Sequence, residues 1–427
     1  MGQQKITVPK GTKDILGEEV VWWQKVEEVV REMANLFGYQ EIRTPIFEQT
    51  ELFARGVGEE TDIVQKEMYT FQDKGGRSIT LRPEGTAPVM RAYIEHGLSV
   101  TNPRVKWFYL GPMFRYERPQ AGRMRQFHQF GFEALGFSRP AVDVEIILVA
   151  YLIYQELGLS ELTLELNSLG CEKCRPSYLS KLTKFLEERK DNLCANCVRR
   201  LEKNPLRVLD CKEEGCQNLF KSPSFPVIEE YLCSDCRNHQ FKVEAGLENL
   251  GISYQINPFL VRGLDYYTKT AFEVKTGQLG AQDAIGGGGR YDQLSAALGV
   301  PGVAGVGFAA GIERIVLLLE KTQQETRPKK VPCLYLSPLD EEGEKQVLRL
   351  ARELTKWRVP FYCDFADKGL RYHLKKAQKS GVKWVLMVGQ EEIERGGFSL
   401  KNLTSGSQVF LQEDELLRLL QKEKSLC

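Results

Sequence analysis

Between positions 171 and 236 the sequence carries eight of its eleven cysteines, grouped as Cys171-x2-Cys174, Cys194-x2-Cys197, Cys211-x4-Cys216 and Cys233-x2-Cys236. Short cysteine pairs constrain a fold strongly, because each aims two sulfurs at one point and two pairs complete a tetrahedral four-thiolate zinc site. In chain order the first four cysteines form one such set and the last four nearly repeat it. Spacing alone leaves open how the pairs combine. Zinc held this way would staple an insertion of about residues 170–240 and leave no coordination position for chemistry. The plain alternative is a helical insertion with reduced thiols. A disulfide framework is not expected, since the start, MGQQKITVPKGTKD, lacks the apolar stretch of a secretory signal and the cytoplasm is the default compartment.

A chain of 427 residues accommodates about two to four domains of roughly 100–200 residues. No apolar run approaches the roughly 20 residues that cross a bilayer, so no membrane partner is expected. The net charge of +1 argues against wholesale binding of polyanions, and any nucleic-acid contact must come from a local patch.

Periodicity places the elements around the insertion. From Val20 to Phe37, apolar residues at Trp22, Trp23, Val26, Val29, Val30, Met33 and Phe37 follow a helical period. Gly38 suits the stop, and Tyr39–Ile46, which contains Pro45, reads as an edge strand; together they suit a dimer seam. Ser78–Leu81, Lys106–Leu110 and Phe127–Leu135 read as strands of an antiparallel sheet, and strand character resumes over Leu260–Val274. The four glycines of AIGGGGRYD by themselves suggest a loop. Gly305–Glu320 passes from a small-residue strand into an amphipathic helix, and the polar TQQETRPKK is a linker. Beyond it, VPCLYL, a helix near Glu341–Trp357, VPFYCDF, a basic helix and VKWVLMVG follow the βαβ pattern of a small parallel-sheet domain.

Three arginines stand in separate strand or strand-to-helix settings: Arg115 in GPMFRYERPQ, Arg262 in LVRGLDYY and Arg314 in GIERIV. Each alone reads as a structural ion pair, Arg262 with Asp265 for example. Together they suit phosphate chemistry, because a guanidinium stays charged and binds oxyanions in bidentate fashion. No GxxxxGK[ST] loop occurs, so phosphate binding would rest on these arginines.

The settings are similar to known motifs. FRYERPQAGRMRQFHQFGFE resembles motif 2 of class II aminoacyl-tRNA synthetases, GVGFAAGIER resembles motif 3, and the first helix with its Pro45 strand resembles motif 1. LVRGLDYYT resembles the substrate signature of histidyl-tRNA synthetases, as do TLRPEGTAP and FHQFGFE. The resemblance covers nearly the whole chain. It implies an α+β catalytic core with an antiparallel sheet over residues 1–322, a mainly helical Cys-rich insertion, a linker at 323–330 and a C-terminal α/β anticodon-binding domain at 331–427.

It also implies roles. Arg115 contacts the α-phosphate of ATP, Arg123 and Arg314 hold the outer phosphates, Phe127 stacks on adenine, and Arg262 reaches the α-phosphate and substrate carboxylate. Glu84, Thr86, Gln129, Glu133, Tyr266, Tyr267 and Tyr291 surround histidine, whose imidazole asks for a donor and an acceptor. Mg2+ is expected with ATP. His128, a lone histidine on a strand, is read as packed or hydrogen-bonded rather than as a general base. The family does not require zinc, so Cys171, Cys174, Cys194, Cys197, Cys211, Cys216, Cys233 and Cys236 rest on spacing alone.

Lys368, Arg371, Lys375, Lys379 and Lys383 recur three or four apart and share a helical face. Such a stripe is usually a solvated surface; the resemblance makes it a candidate for tracking tRNA phosphates. The expected activity is ligation of L-histidine to its tRNA by a homodimer. The rivals are the synthetase-like regulatory subunit of ATP phosphoribosyltransferase, which characteristically lacks the anticodon domain, and a class II synthetase of prolyl or threonyl specificity, against which RGLDYY argues.

Overall fold

The computed structural model describes residues 5–279, 283–323 and 332–423. Contacts divide the chain into Met1–Arg327 and Pro328–Cys427. Most of the proposed linker, 324–330, lies outside the described residues.

The first unit is built on an eight-stranded sheet. Its six central strands are Val105–Phe114, Gln126–Leu135, Gly305–Gly311, Ala284–Arg290, Thr268–Thr276 and Leu162–Ser168, in that spatial order and antiparallel throughout. Two-residue parallel strands, Gln40–Glu41 and Gln255–Ile256, close the edges. The expected strand Tyr39–Ile46 thus shrinks to Gln40–Glu41. Pro45, which has no N–H for a ladder, sits beyond it.

The first helix, Glu19–Leu36, buries Trp22, Trp23, Val26, Val29, Val30 and Met33, the face that the periodicity marks. Each fully buried side chain of this size contributes about 1.5–3 kcal/mol. The helix stops where Gly38 takes φ +73°, a left-handed conformation that glycine adopts without steric cost. Helix Pro140–Glu156 packs beside it on the same core, and Phe132 and Phe308 stack at 5.4 Å beneath them.

Two segments depart from the sequence reading. AIGGGGR is a central strand, not a loop: a Cβ on Gly288 would meet Gly307 O at 2.0 Å, so side chains are excluded by the neighbouring strand. Conversely, Leu260–Tyr267 has no strand pairing, and the strand begins only at Thr268. Arg262 therefore rides on an irregular loop.

The cysteine segment is helical, as expected: Arg175–Glu187, Ala195–Lys203, Glu214–Phe220 and Ser234–Asn249, the last running past residue 240. Its cysteines combine in nested rather than sequential order. Cys171 and Cys174 meet Cys233 and Cys236, while Cys194 and Cys197 meet Cys211 and Cys216.

In the second unit, strands Phe361–Cys363, Leu334–Pro338 and Trp384–Val388 are parallel, but Phe398–Asn402 and Gln408–Leu411 add on antiparallel. The sheet is mixed rather than purely parallel. Helix Glu341–Lys356 covers it, its N-terminus capped by Asp340, whose carboxylate accepts from the Gly343 N–H at 2.7 Å.

Candidate active site

The long hairpin Val105–Phe114 and Gln126–Leu135 pairs without a break from Val105↔Leu135 to Phe114↔Gln126. It delivers Arg115 and Phe127 side by side at its open end, with the guanidinium 5.3 Å from the ring centroid. Arg115 Nε donates to Pro83 O at 2.9 Å, which orients the fork and directs its terminal nitrogens.

A cleft of about 350 Å3 opens over the sheet, lined by Arg115, Arg123, Phe127, Gln129, Arg262 and Arg314 among others. That volume suits a small-molecule ligand, at the lower end of the common range of roughly 300–1,000 Å3. Arg314 enters from the first turn of helix Ile312–Thr322 and donates to Ala284 O and, at 3.3 Å, to Gly122 O. Burial, with Arg123 beside it, pulls its pKa below the ordinary arginine value. A cation held at such cost is stabilised by an incoming anion. Arg123 pairs with Glu117 at 2.8 Å on the rim.

Arg262 donates through Nη1 to Glu273 Oε1 at 2.7 Å. Burial opposes its charge, but Glu273 and Tyr267 outweigh that and raise its pKa. Its Nε is buried without a hydrogen-bond partner among the described residues. The plain alternative of an Arg262–Asp265 ion pair does not form; Asp265 instead accepts from Asn204 Nδ2 at 3.0 Å. Gly287 explains the glycine strand's composition here, since a Cβ would lie 2.6 Å from Arg262 Nη1.

The remaining six candidates, Glu84, Thr86, Glu133, Tyr266, Tyr267 and Tyr291, form a buried network outside the cleft lining. Glu84 caps helix Thr86–Glu95, accepting from the Thr86 and Ala87 N–H groups at 2.6 and 2.8 Å. Thr86 Oγ1 donates to Glu133 Oε1 at 2.6 Å, and Tyr291 OH donates to the other oxygen. The Tyr266 and Tyr267 rings pack at 4.7 Å, and Arg262 stands 5.8 Å from the Tyr267 ring, joining network to cleft. Burial pushes the Glu133 carboxyl up to about 8, despite the bonds from Thr86 and Tyr291. Glu84 is raised as well, again by burial. Gln129 reaches the cleft, and its Oε1 is buried without a partner among the described residues, which leaves an acceptor for a ligand N–H.

His128 is packed and bonded, as expected: its backbone N–H donates to Glu313 Oε1 at 2.8 Å, its ring Nδ1 lies 3.1 Å from the same oxygen, and its ring meets Trp23 edge-on at 4.9 Å. Sequence reasoning missed Glu273, Glu117, Asp210 and Glu313, all in the cleft lining. Glu313 adjoins Arg314 and was legible as a first-turn acid; Glu273 reaches Arg262 only through the chain's return along a strand.

In the second unit, helix Leu370–Ser380 presents Arg371, Lys375 and Lys379 exposed. Lys368 precedes the helix and Lys383 follows it, over the Trp384 ring at 5.5 Å, so the expected five-residue stripe is three residues with outliers.

Among the described residues no helix is long and apolar enough to cross a membrane. A family model described as histidyl-tRNA synthetase matches residues 11–315, and one described as anticodon binding domain matches residues 333–423. The chain is 50% identical to a histidine-tRNA ligase of Desulforudis audaxviator, over 98% of this chain and 99% of that protein. It is 46% identical to one of Halothermothrix orenii, with the same coverage. Among solved structures, apo histidyl-tRNA synthetase of S. aureus is similar with a TM-score of 0.80 and 36% identity, over 98% of this chain and 100% of that one. Matched over residues 11–315 by that family model and 50% identical to a relative over 98% of its own length, the chain belongs to the histidyl-tRNA synthetase family.

Proposed function

We infer that this chain is a histidine-tRNA ligase. It joins the carboxylate of L-histidine to the α-phosphorus of ATP, expelling pyrophosphate. It then passes histidine to the 3′-terminal ribose of its tRNA, expelling AMP. The observation that carries this reading is the convergence of Arg115, Arg123, Arg262 and Arg314 on one cleft from three separate segments. Four cations around one space serve a transition state whose negative charge spreads over phosphate oxygens.

In this reading Phe127 stacks on adenine, Arg115 and Arg262 hold the α-phosphate, and Arg123 and Arg314 hold the outer phosphates. Mg2+ arrives with ATP and neutralises phosphate charge. Gln129, whose Oε1 has no partner among the described residues, and the network of Glu84, Thr86, Glu133, Tyr266, Tyr267 and Tyr291 select histidine. A site that hydrogen-bonds a ring rejects apolar competitors by as much as about 10⁴–10⁵-fold. The exposed cations of helix Leu370–Ser380, together with Lys368 and Lys383, contact tRNA phosphates. The two four-thiol groups hold structural zinc, two chains associate as a homodimer, and the protein works in the cytoplasm. The regulatory-subunit reading is disfavoured by the anticodon-binding match at 333–423.

Amino-acid-dependent exchange of pyrophosphate into ATP tests the assignment. Histidine alone should support it; exchange driven equally by proline or threonine, or by no amino acid, overturns it.

A further inference from the structure

The cysteine groups lie close to the loop that carries Arg262 and Tyr267. Within the groups, Cys171 Sγ is 3.6 Å from Cys174 Sγ and 3.9 Å from Cys233 Sγ, and Cys194 Sγ is 3.8 Å from Cys211 Sγ. Four sulfurs about 2.3 Å from one zinc sit roughly 3.8 Å apart on a tetrahedron's edges. The spacing is far beyond the roughly 2.05 Å of a disulfide. Cys174 Sγ accepts from the Cys233 N–H at 3.1 Å and Cys216 Sγ from the Cys194 N–H at 3.3 Å, so each group has backbone support for a sulfur. The donor set, its spacing and its backbone support all fit zinc.

Each group adjoins an arginine that grips one end of the substrate loop. Directly after Cys174, Arg175 donates to Leu169 O at 3.0 Å and to Tyr267 O. Between Cys197 and Cys211, Arg207 donates to Arg262 O at 3.1 Å and Gly263 O at 3.0 Å. In the same bracketed segment, Arg200 pairs with Asp62 at 2.9 Å. The loop has no ladder of its own between Leu260 and Tyr267. Its carbonyls at Arg262, Gly263 and Tyr267 accept from arginines of the cysteine-bearing segments, and the Asp265 N–H donates to Val57 O at 3.0 Å.

We propose that the two zinc sites are positioning devices for catalysis: the inner site, through Arg207, sets Arg262, and the outer site, through Arg175, sets Tyr267. The proposal rests on the ligase and zinc readings above. An ion that ties Cys194 and Cys197 to Cys211 and Cys216 closes the segment carrying Arg207, and that ordering is lost with the metal. None of these groups touches substrate. They act through backbone carbonyls.

The test uses the full chain. Metal analysis should find two zinc per chain, one for each group, falling to one in Cys197→Ser and one in Cys236→Ser. Amide exchange read by mass spectrometry should rise around residues 262–264 in Cys197→Ser and around 266–268 in Cys236→Ser. Arg207→Ala and Arg175→Ala should reproduce these local changes with both zinc ions retained, and decide the matter if a cysteine variant fails to fold. In pyrophosphate exchange, kcat/KM for histidine should fall on the order of 10- to 100-fold in each variant, as for a displaced reacting group. A Cys197→His variant that keeps zinc should recover the parent exchange pattern. A folded parent without zinc, even after zinc is supplied, overturns the zinc reading and the proposal with it. Zinc loss or arginine removal that leaves the loop's exchange and kcat/KM unchanged overturns the coupling while the zinc and ligase readings stand. A zinc-loaded parent without histidine-dependent exchange overturns the ligase reading.

Discussion

Arg262 and Glu273 meet at 2.7 Å where an irregular loop passes over the strand Thr268–Thr276. The pair holds a guanidinium over the glycine strand with Nη1 engaged and Nε without a hydrogen-bond partner among the described residues. Removing the cation should be far more damaging than weakening its anchor. Arg262→Ala is expected to lower kcat/KM for histidine activation on the order of 10²–10³-fold, by analogy with loss of an oxyanion donor. Glu273→Gln, which can still accept a hydrogen bond, should lose roughly tenfold or less. Pyrophosphate exchange by both variants checks the order; equal losses would mean that Glu273 has a role of its own.

Gly287→Ala should reproduce part of the Arg262 defect without touching a charge. The new methyl would lie 2.6 Å from Arg262 Nη1 and 2.7 Å from Phe272 O, so both the guanidinium and the neighbouring strand must give. A stability loss of about 1–3 kcal/mol is expected from overpacking, together with reduced kcat. Thermal unfolding and exchange kinetics measured on the same sample separate the two, and wild-type kinetics in the alanine variant would refute the close approach.

Phe127→Leu should raise KM for ATP about tenfold or more, since stacking on a base is worth roughly 1–3 kcal/mol. KM for histidine should move little. If the histidine constant moves and the ATP constant does not, the ring belongs to the amino-acid side of the cleft.

Glu133 carries a pH signature. Its carboxyl is raised to about 8 by burial, against an ordinary glutamate value near 4.3. The folded state thus binds more protons than the unfolded state between those values, and its stability contribution falls as pH rises across that window. Glu133→Gln should flatten the decline of stability between about pH 5 and 8 relative to the parent. Denaturant unfolding at several pH values provides the comparison, and parallel curves would show that Glu133 does not titrate as its burial implies.

Deleting residues from Val331 onward should leave histidine-dependent pyrophosphate exchange largely intact and weaken tRNA charging, because the core that carries the cleft lies within the first unit. Reversing Arg371, Lys375 and Lys379 to glutamate in the full chain should weaken tRNA binding and reduce its salt dependence. Undiminished charging by the truncated protein would remove the tRNA role from the second unit.

The sequence determined a great deal by itself, wherever the information is local. The buried face of helix Glu19–Leu36 follows from a 3.6-residue period, and the strands Ser78–Leu81 and Gln126–Leu135 follow from their apolar pattern, although Ser78–Leu81 joins a separate three-stranded sheet rather than the sheet of the other two runs. The candidates Arg115, Arg123, Phe127, Gln129, Arg262 and Arg314, which share one cleft, were legible because their neighbouring residues resemble family motifs. Tertiary structure decided what depends on which distant segments meet. AIGGGGR became a central strand because adjacent backbones exclude side chains, a condition no propensity expresses. Arg262 took Glu273 rather than Asp265 because the strand folds back beneath the loop. The cysteine pairs nested because the helices between them return Cys233 and Cys236 to Cys171 and Cys174. Spacing states that two sulfurs can face one point, and only the packed chain states which other two arrive there.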